Sequence, residues 1–513
     1  MARINTNIAG LIARANLARS NENLDTRLQR LATGLRINRG ADDPAGLIVS
    51  ERLRSELKGL EQGIKNSERA SNVIATTEGA LAEVSELLNS IKALVIEAAN
   101  TGAVSPEEIA ANQLQIDSAI DSITRISNTA SFAGLKLLNG SLAYSLSGID
   151  TTNLVKTQVF GASFGDRDSV TVDVEVVGSA QTAMLFMRSD FSSGGGTDGV
   201  LPSTVTIEIA GPNGVQEVTF ISGTTIDDII TAVNDFSSVT GIEAARNNPS
   251  DVSSGIVFNS VEYGSEMFVS VNRLSGGSSL VFAKLLNDAP GPIDWSATST
   301  YTPAETDEGR DVDVLVNGAL ATGRGLQVAV RTPDLDLSLL LSESFGTTIS
   351  GTPESFVITG GGSKFQLGPQ VTGLQQINVG IESIAATRLG GAYVTLPGGG
   401  QELQFLSSLK SGGDNALVNG RLDNASEILE TAIDEISVIR GRLGALERNV
   451  LQTNIRSLQA SLENITASES AIRDADFALE TSELTRAQVL TQAGTAVLAT
   501  ANANAQTVLQ LLG

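Results

Sequence analysis

The 513 residues carry 58 acidic against 34 basic side chains, a net charge of −24, with 41% hydrophobic and 18% charged residues. That balance fits folded protein and argues against nucleic acid or an anionic membrane surface as partner. The absence of cysteine and histidine excludes disulfides, thiol chemistry, the usual zinc, copper and haem ligands and the commonest general base, so no cofactor or metal is expected. No apolar run reaches membrane-spanning length, and Met1-Ala2-Arg3-Ile4-Asn5 holds no hydrophobic signal core. The expectation is a protein without membrane insertion, either cytosolic or leaving the cell without a cleaved signal.

In chain order, Ile4, Ile8, Leu11, Ala15 and Ala18 recur at steps of four and three, and Leu24, Leu28, Leu31 and Leu35 resume the pattern, predicting an amphipathic helix. Asp42-Asp43-Pro44 breaks it, with the Asp43 carboxylate at an N-cap and proline at the first helical position. The new helix has its clearest stripe at Leu81, Val84, Leu88, Ile91 and Val95 and should end near Thr101-Gly102. Ser105-Pro106-Glu107-Glu108 reads as a capping box. It opens a helix with Ile109, Ile116, Ile120 and Ile123 on one face, and Asn139-Gly140 then marks a turn.

Near Leu154 the character changes, and residues 166–399 read as β-rich. Residues 170–176 alternate strictly, as a half-buried strand does. Residues 204–210 and 215–221 flank the turn Gly211-Pro212-Asn213-Gly214 as a hairpin, followed by a short capped helix over 225–234 and a strand over 242–245. Residues 312–316 end at Asn317-Gly318, a two-residue hairpin signal. From Gln401 helical patterning returns. Leu422, Ala425, Leu429, Ala432, Ile436, Ile439, Leu443, Leu446 and Val450 keep heptad steps. The register slips by one residue and resumes at Leu451, Ile455, Leu458, Leu462 and Ile465. A last run follows through Phe477, Leu484, Ala487, Thr491, Gly494, Leu498, Ala501, Ala505, Val508 and Leu512. Stripes held this long must meet another helix. The fold class is therefore α+β: long terminal helices form a coiled-coil stem and a β-rich outer region is inserted between them.

Other signals have plainer readings. Asp42 and Asp43 are better helix caps than an acid–base pair. Residues 194–199 satisfy the dinucleotide fingerprint formally but open no helix. The acidic centre has no EF-hand spacing.

Several motifs make the chain resemble bacterial flagellin, the subunit of the flagellar filament. At the start they are Ile4-Asn5-Thr6-Asn7-Ile8, the run from Arg30 through Thr33-Gly34 to Asn38, and Asp42-Asp43-Pro44-Ala45-Gly46. At the end they are Ala432-Ile433-Asp434-Glu435-Ile436, the run from Arg440 to Ala445, Ile472-Arg473-Asp474-Ala475-Asp476, Gln492-Ala493, Leu498-Ala499, Ala501-Asn502 and Val508-Leu509. The unit at 204–245 is similar to an insertion motif of flagellins and hook-associated proteins, and residues 360–369 to a stretch that precedes the returning helices in some flagellins.

The resemblance implies an inner coiled-coil core of residues 1–42 with 466–513, a helical rod with a β-hairpin of 43–165 with 400–465, and an outward-facing region of 166–399. It implies a homopolymer of flagellin subunits, export in an unfolded state by the flagellar type III apparatus, and dealings with an export chaperone, the filament cap and hook-junction proteins. The stretch that the innate flagellin receptor recognises falls on residues 88–97. There Ser90 and Ala93 replace the usual arginine and glutamate, which argues against that recognition, while Lys92 and Leu94 keep the basic and apolar character. The expected polymerisation interface is Ile4, Ile8, Leu11, Leu24, Leu28, Leu31, Leu35, Phe477, Leu484, Ala487, Leu498, Ala501, Val508 and Leu512. The expected rod seam is Leu81, Val84, Leu88, Ile91, Val95, Leu429, Ile436, Leu443 and Leu446. The alternative is a hook–filament junction protein. A zinc protease in the central insert is excluded, because without histidine the His-Glu-x-x-His ligands do not exist.

Overall fold

The computed structural model describes residues 6–510 except 166, 189–198, 249–253, 277–279, 287–291, 296, 298, 350 and 397–400, with the backbone alone at 401 and 505–510. Its contacts divide the chain into two units, one of residues 1–78, 365–376 and 438–513, the other of 79–364 and 377–437.

Among the described residues are nine α-helices: α1 (Ile8–Thr33), α2 (Pro44–Ala99), α3 (Pro106–Thr129), α4 (Ile226–Asn234), α5 (Ser237–Thr240), α6 (Glu343–Gly346), α7 (Leu422–Leu446), α8 (Gln452–Arg473) and α9 (Phe477–Gln510). Their starts follow the local chemistry. Asp43 accepts from the Gly46 amide (2.9 Å) ahead of Pro44. Ser105 accepts from the Glu108 amide while the Glu108 carboxylate accepts from the Ser105 amide. Between α7 and α8 the helix continues through one π-helical turn, Glu447–Leu451.

In the first unit, α2 buries Leu60, Ala70, Val73 and Ile74, and the α7–α8 segment buries Leu443, Leu451 and Leu458. Ser71 donates to Glu447 (2.6 Å), Asn454 to Ser67 (3.1 Å), and Arg473 pairs with Glu51 (3.0 Å). In the second unit the stem stripes are fully buried: Leu81, Val84, Leu88, Ile91 and Val95 on α2, Ile116, Ile120 and Ile123 on α3, and Ala425, Ile428, Leu429, Ala432 and Ile436 on α7. Lys92 pairs with Glu430 across α2 and α7 (2.9 Å). The buried Gln113 amide of α3 donates to the Leu409 carbonyl and accepts from the Leu417 amide.

β-structure begins earlier than residue 166: short strands lie at Ser131–Phe132 and Leu135–Lys136, and Tyr144–Ser147 and Leu154–Ala162 already belong to a sandwich. In that first sandwich Val170–Gly178 pairs antiparallel with Asp313–Val316 and Glu354–Gly361, facing a sheet of Leu154–Ala162, Leu335–Leu341, Gln327–Arg331 and Thr322–Arg324. Val172, Val174, Val314, Leu337, Leu339, Phe356 and Ile358 fill the space between. The even positions of 170–176 point inward, as their alternation requires. Asn317 and Gly318 take φ of 51° and 79° in the hairpin after Val316, the left-handed pair that such a turn needs.

A second sandwich is nested in the first. One sheet runs through Met184–Arg188, Ile256–Ser260 and Ile242–Arg246, the other through Phe268–Gly276, Val205–Gly211 and Gly214–Phe220, with α4 adding Ile229 and Val233 to the core. Trp295 donates to the Ser254 carbonyl (2.7 Å) and lies between Arg188 and Tyr301. The chain enters and leaves this sandwich side by side, Gln181 bridging Arg310, and the first sandwich likewise, Leu142 bridging Ile381. Helical patterning from Gln401 is not yet helix: Gln401–Gln404 pairs with Ala392–Thr395, and α7 starts only at Leu422. The intervening Ser411, Gly412, Gly413 and Asp414 favour turns over helix.

Lys156, on a strand of the first sandwich, pairs with Glu435 of α7, whose other oxygen accepts from the Gly390 amide (3.2 Å). Burial pushes the nearby Glu382 carboxyl up, against the pull of the Arg388 and Lys156 charges. Lys156→Met strands Glu435 at a site where the two side chains keep 18% and 16% of their surface. It should lower the stability of this unit by about 2–4 kcal/mol, short of a fully buried pair; urea unfolding followed by circular dichroism measures it.

Candidate functional site

α1 and α9 lie side by side and antiparallel. The seam on α1 is Gly10, Ala13, Leu17, Ser20, Leu24, Arg27 and Leu31, and on α9 Glu480, Leu484, Ala487, Thr491, Gly494, Leu498 and Ala501, each at alternating steps of three and four. Small residues let the backbones approach: a Cβ built on Gly494 would stand 3.1 Å from Leu17 Cδ1. Asn7 caps α1 by accepting from the Gly10 amide (2.9 Å) and donates its side-chain N–H to the Ala501 carbonyl (3.2 Å). At the other end Ala475 N–H donates to Gly34 O (2.9 Å) and Arg36 N–H to Arg473 O (2.7 Å), so the turns leaving α1 and entering α9 are hydrogen-bonded together.

The seam carries one charged pair, Arg27 on α1 and Glu480 on α9. Glu480 keeps 4% of its side-chain surface and accepts from Arg27 through both oxygens (2.9 Å) and from Arg30 (3.1 Å). Burial opposes its ionisation, but the hydrogen bonds and charges of the two guanidiniums outweigh that and hold the carboxyl below its ordinary value.

Of the residues expected at an interface, Leu24, Leu31, Leu484, Ala487, Leu498 and Ala501 lie on this intrachain seam. Ile8 (49% exposed), Leu11 (62%), Leu28 (46%) and Phe477 (69%) face away from it. Leu35 is half-buried in the turn after α1, bridging Asp474. Ile4, Leu512 and the Val508 side chain fall outside the described residues, as does most of 194–199. Ile12, Leu479, Val489, Leu490 and Val497 join the outward face, each more than half exposed. Leu81 to Val95, Leu429 and Ile436 are buried in the second unit, and Leu443 is buried and Leu446 half-buried in the first. Sequence reading missed Gly10, Ala13, Leu17, Ser20, Arg27 and Glu480. The signal for Glu480 was its place one heptad step before Leu484. Among the described residues no acidic cluster suits a metal, and no helix is long and apolar enough to cross a membrane.

The molecule is thus of the class whose two ends pair as helices while a β-rich region is inserted between them in sequence, and the paired helices keep an exposed apolar face. Residues 4–143 match the bacterial flagellin N-terminal helical region, 426–512 the bacterial flagellin C-terminal helical region, and 204–262 the flagellin hook IN motif. The chain is 29% identical over 519 residues to B-type flagellin of Pseudomonas aeruginosa and 26% over 542 residues to flagellin of Salmonella choleraesuis, covering 99% of both partners in each case. The solved flagellar hook-associated protein-3 of Legionella pneumophila covers 82% of this chain and 98% of its own at 13% identity, with a TM-score of 0.28, below that of a shared overall fold.

The chain belongs to the bacterial flagellin family. It is a structural subunit that self-polymerises into the extracellular flagellar filament for swimming.

Because the Glu480 carboxyl is held low, its contribution is present above about pH 4.5 and is lost as pH falls through the depressed value. Pairing of α1 with α9 should weaken in that acid window. Glu480→Ala should cost it about 1–3 kcal/mol, less than a fully buried pair because Arg27 and Arg30 keep 26% and 20% of their side-chain surface. Helicity and protease sensitivity of α9 against pH, for both proteins, check this.

Proposed function

We propose that the α1–α9 pair is the polymerising module and that its two faces have separate duties. The seam through Leu24, Leu31, Leu484, Ala487, Leu498 and Ala501 joins the ends of one subunit. The outward stripe of Ile8, Leu11, Ile12 and Leu28 on α1, with Phe477, Leu490 and Val497 on α9, packs against neighbouring copies. The observation that carries this reading is the exposure of that stripe on helices already paired with each other. Leu28 and Phe477 belong to this second contact.

On the same reading, residues 1–42 with 466–513 form the inner core of the filament, 43–165 with 400–465 the rod around it, and 166–399 the surface exposed to the medium. The subunit travels unfolded through the flagellar export route with a chaperone on its unpaired ends, and meets hook-junction proteins and the cap at the two filament ends. It has no catalytic role. The receptor-facing stretch, altered at Ser90 and Ala93, does not bind the innate flagellin receptor.

Leu11→Asp or Val497→Asp should abolish filaments while the monomer keeps its helicity. Leu31→Asp or Leu498→Asp should lose both, since charge then lies inside the intrachain seam. Electron microscopy and circular dichroism separate the two outcomes. Normal filaments from Leu11→Asp and Val497→Asp together would sink the proposed division of faces.

A further inference from the structure

Residues 365–376 belong to the first unit, with α1 and α9, yet lie outside all three family matches. They form a loop seated on two helical glycines of α2, one turn apart. A Cβ on Gly59 would stand 2.8 Å from Pro369 Cβ, and one on Gly63 would stand 3.0 Å from the Leu367 carbonyl. Glycine inside a helix is unfavourable, so this close seat is a constructed feature.

From α8, Asn454 donates to the Leu367 carbonyl (3.0 Å). Within the loop Leu367 N–H donates to Gln375 O (2.9 Å), Gln375 N–H to Thr372 O (3.0 Å), and Gln370 N–H to the Gln375 side chain (2.6 Å). Gln366 donates to the carbonyls of Gly368 and Gln370. This framework holds two aliphatic side chains out in water: Val371 is 84% exposed and Leu374 100%. A rigid apolar tip returns nothing inside one subunit. Its hydrogen-bonded backbone has less entropy to lose on binding than a free loop would.

We propose that the Val371–Leu374 tip is a docking knob that inserts into a second copy of this chain in the filament. The occupant follows from the molecule's function: a stem subunit surrounded by its copies meets those copies before anything else, and the knob projects from the unit that carries α1 and α9. The inference rests on the polymer, and not on which face of α1–α9 touches a neighbour.

The chain has no cysteine, so Leu374→Cys introduces a single thiol. Its reaction with a bulky polyethylene-glycol maleimide should slow at least tenfold from monomer to filament. Val371→Ser with Leu374→Ser should raise the critical concentration for assembly about tenfold or more, with monomer helicity unchanged. Thr372→Cys, beside the tip, carries the labelling test if Leu374→Cys assembles poorly. Equal labelling rates in monomer and filament at both positions overturn the knob. Protection there together with normal assembly of the Leu11 and Val497 variants would leave the knob standing and remove the proposed stem faces instead.

Discussion

Two helices share only one seam, and α1 and α9 carry more apolar surface than one seam hides. What the seam takes is mostly small or polar: Gly10, Ala13, Ser20, Thr491 and Gly494 lie between the leucines. The larger aliphatics Leu11, Ile12, Leu490 and Val497 are left in water. Since stabilisation follows apolar area removed from water, a seam of this composition holds the intrachain pair weakly. A seam of small residues also specifies register poorly. The Arg27–Glu480–Arg30 cluster supplies that register, because a buried carboxylate shifted by a turn would lose its partners.

The same constraint arranges the middle of the chain. If the two ends must pair, everything between them has to leave the stem and return to it. Each insertion does so through antiparallel neighbours, Leu142 with Ile381 and then Gln181 with Arg310. Each sandwich has its own core, so its size does not act on the stem seams. What fastens the first sandwich to α7 is local, the Lys156–Glu435 pair beside Gly390.

The stem stripes were legible because burial there is complete: Leu81 to Val95 and Leu429 to Ile436 sit at positions that their period dictates. On α9 the run from Leu484 to Ala501 coincides with the observed seam. On α1 only Leu24 and Leu31 do, since two stripes of equal period coexist in its first half. Counting apolar residues favours Ile8, Leu11, Ala15 and Ala18 over the intrachain seam through Ala13, Leu17 and Ser20. Periodicity identifies a face and not its partner. Glu480 was hidden for a related reason, as a carboxylate on an apolar stripe reads as an interruption until Arg27 and Arg30 are seen opposite it. In the centre, strands as short as Thr322–Arg324 give too few alternations to declare themselves.

The slip in the heptad beyond Leu446 shows how sequence and backbone settle a conflict. From Leu446 the next buried position is Leu451, five residues on, where an α-helix turning 100° per residue would carry the side chain well off the stripe. Two remedies exist: end the helix, or widen one turn to absorb the extra residue. The chain takes the second, and the π turn Glu447–Leu451 returns Leu451 to the buried side while Val450 points outward. Ser71 of α2 meets Glu447 within that turn and so marks its place against the neighbouring helix. Continuity of the helix is kept at the expense of ideal helical geometry.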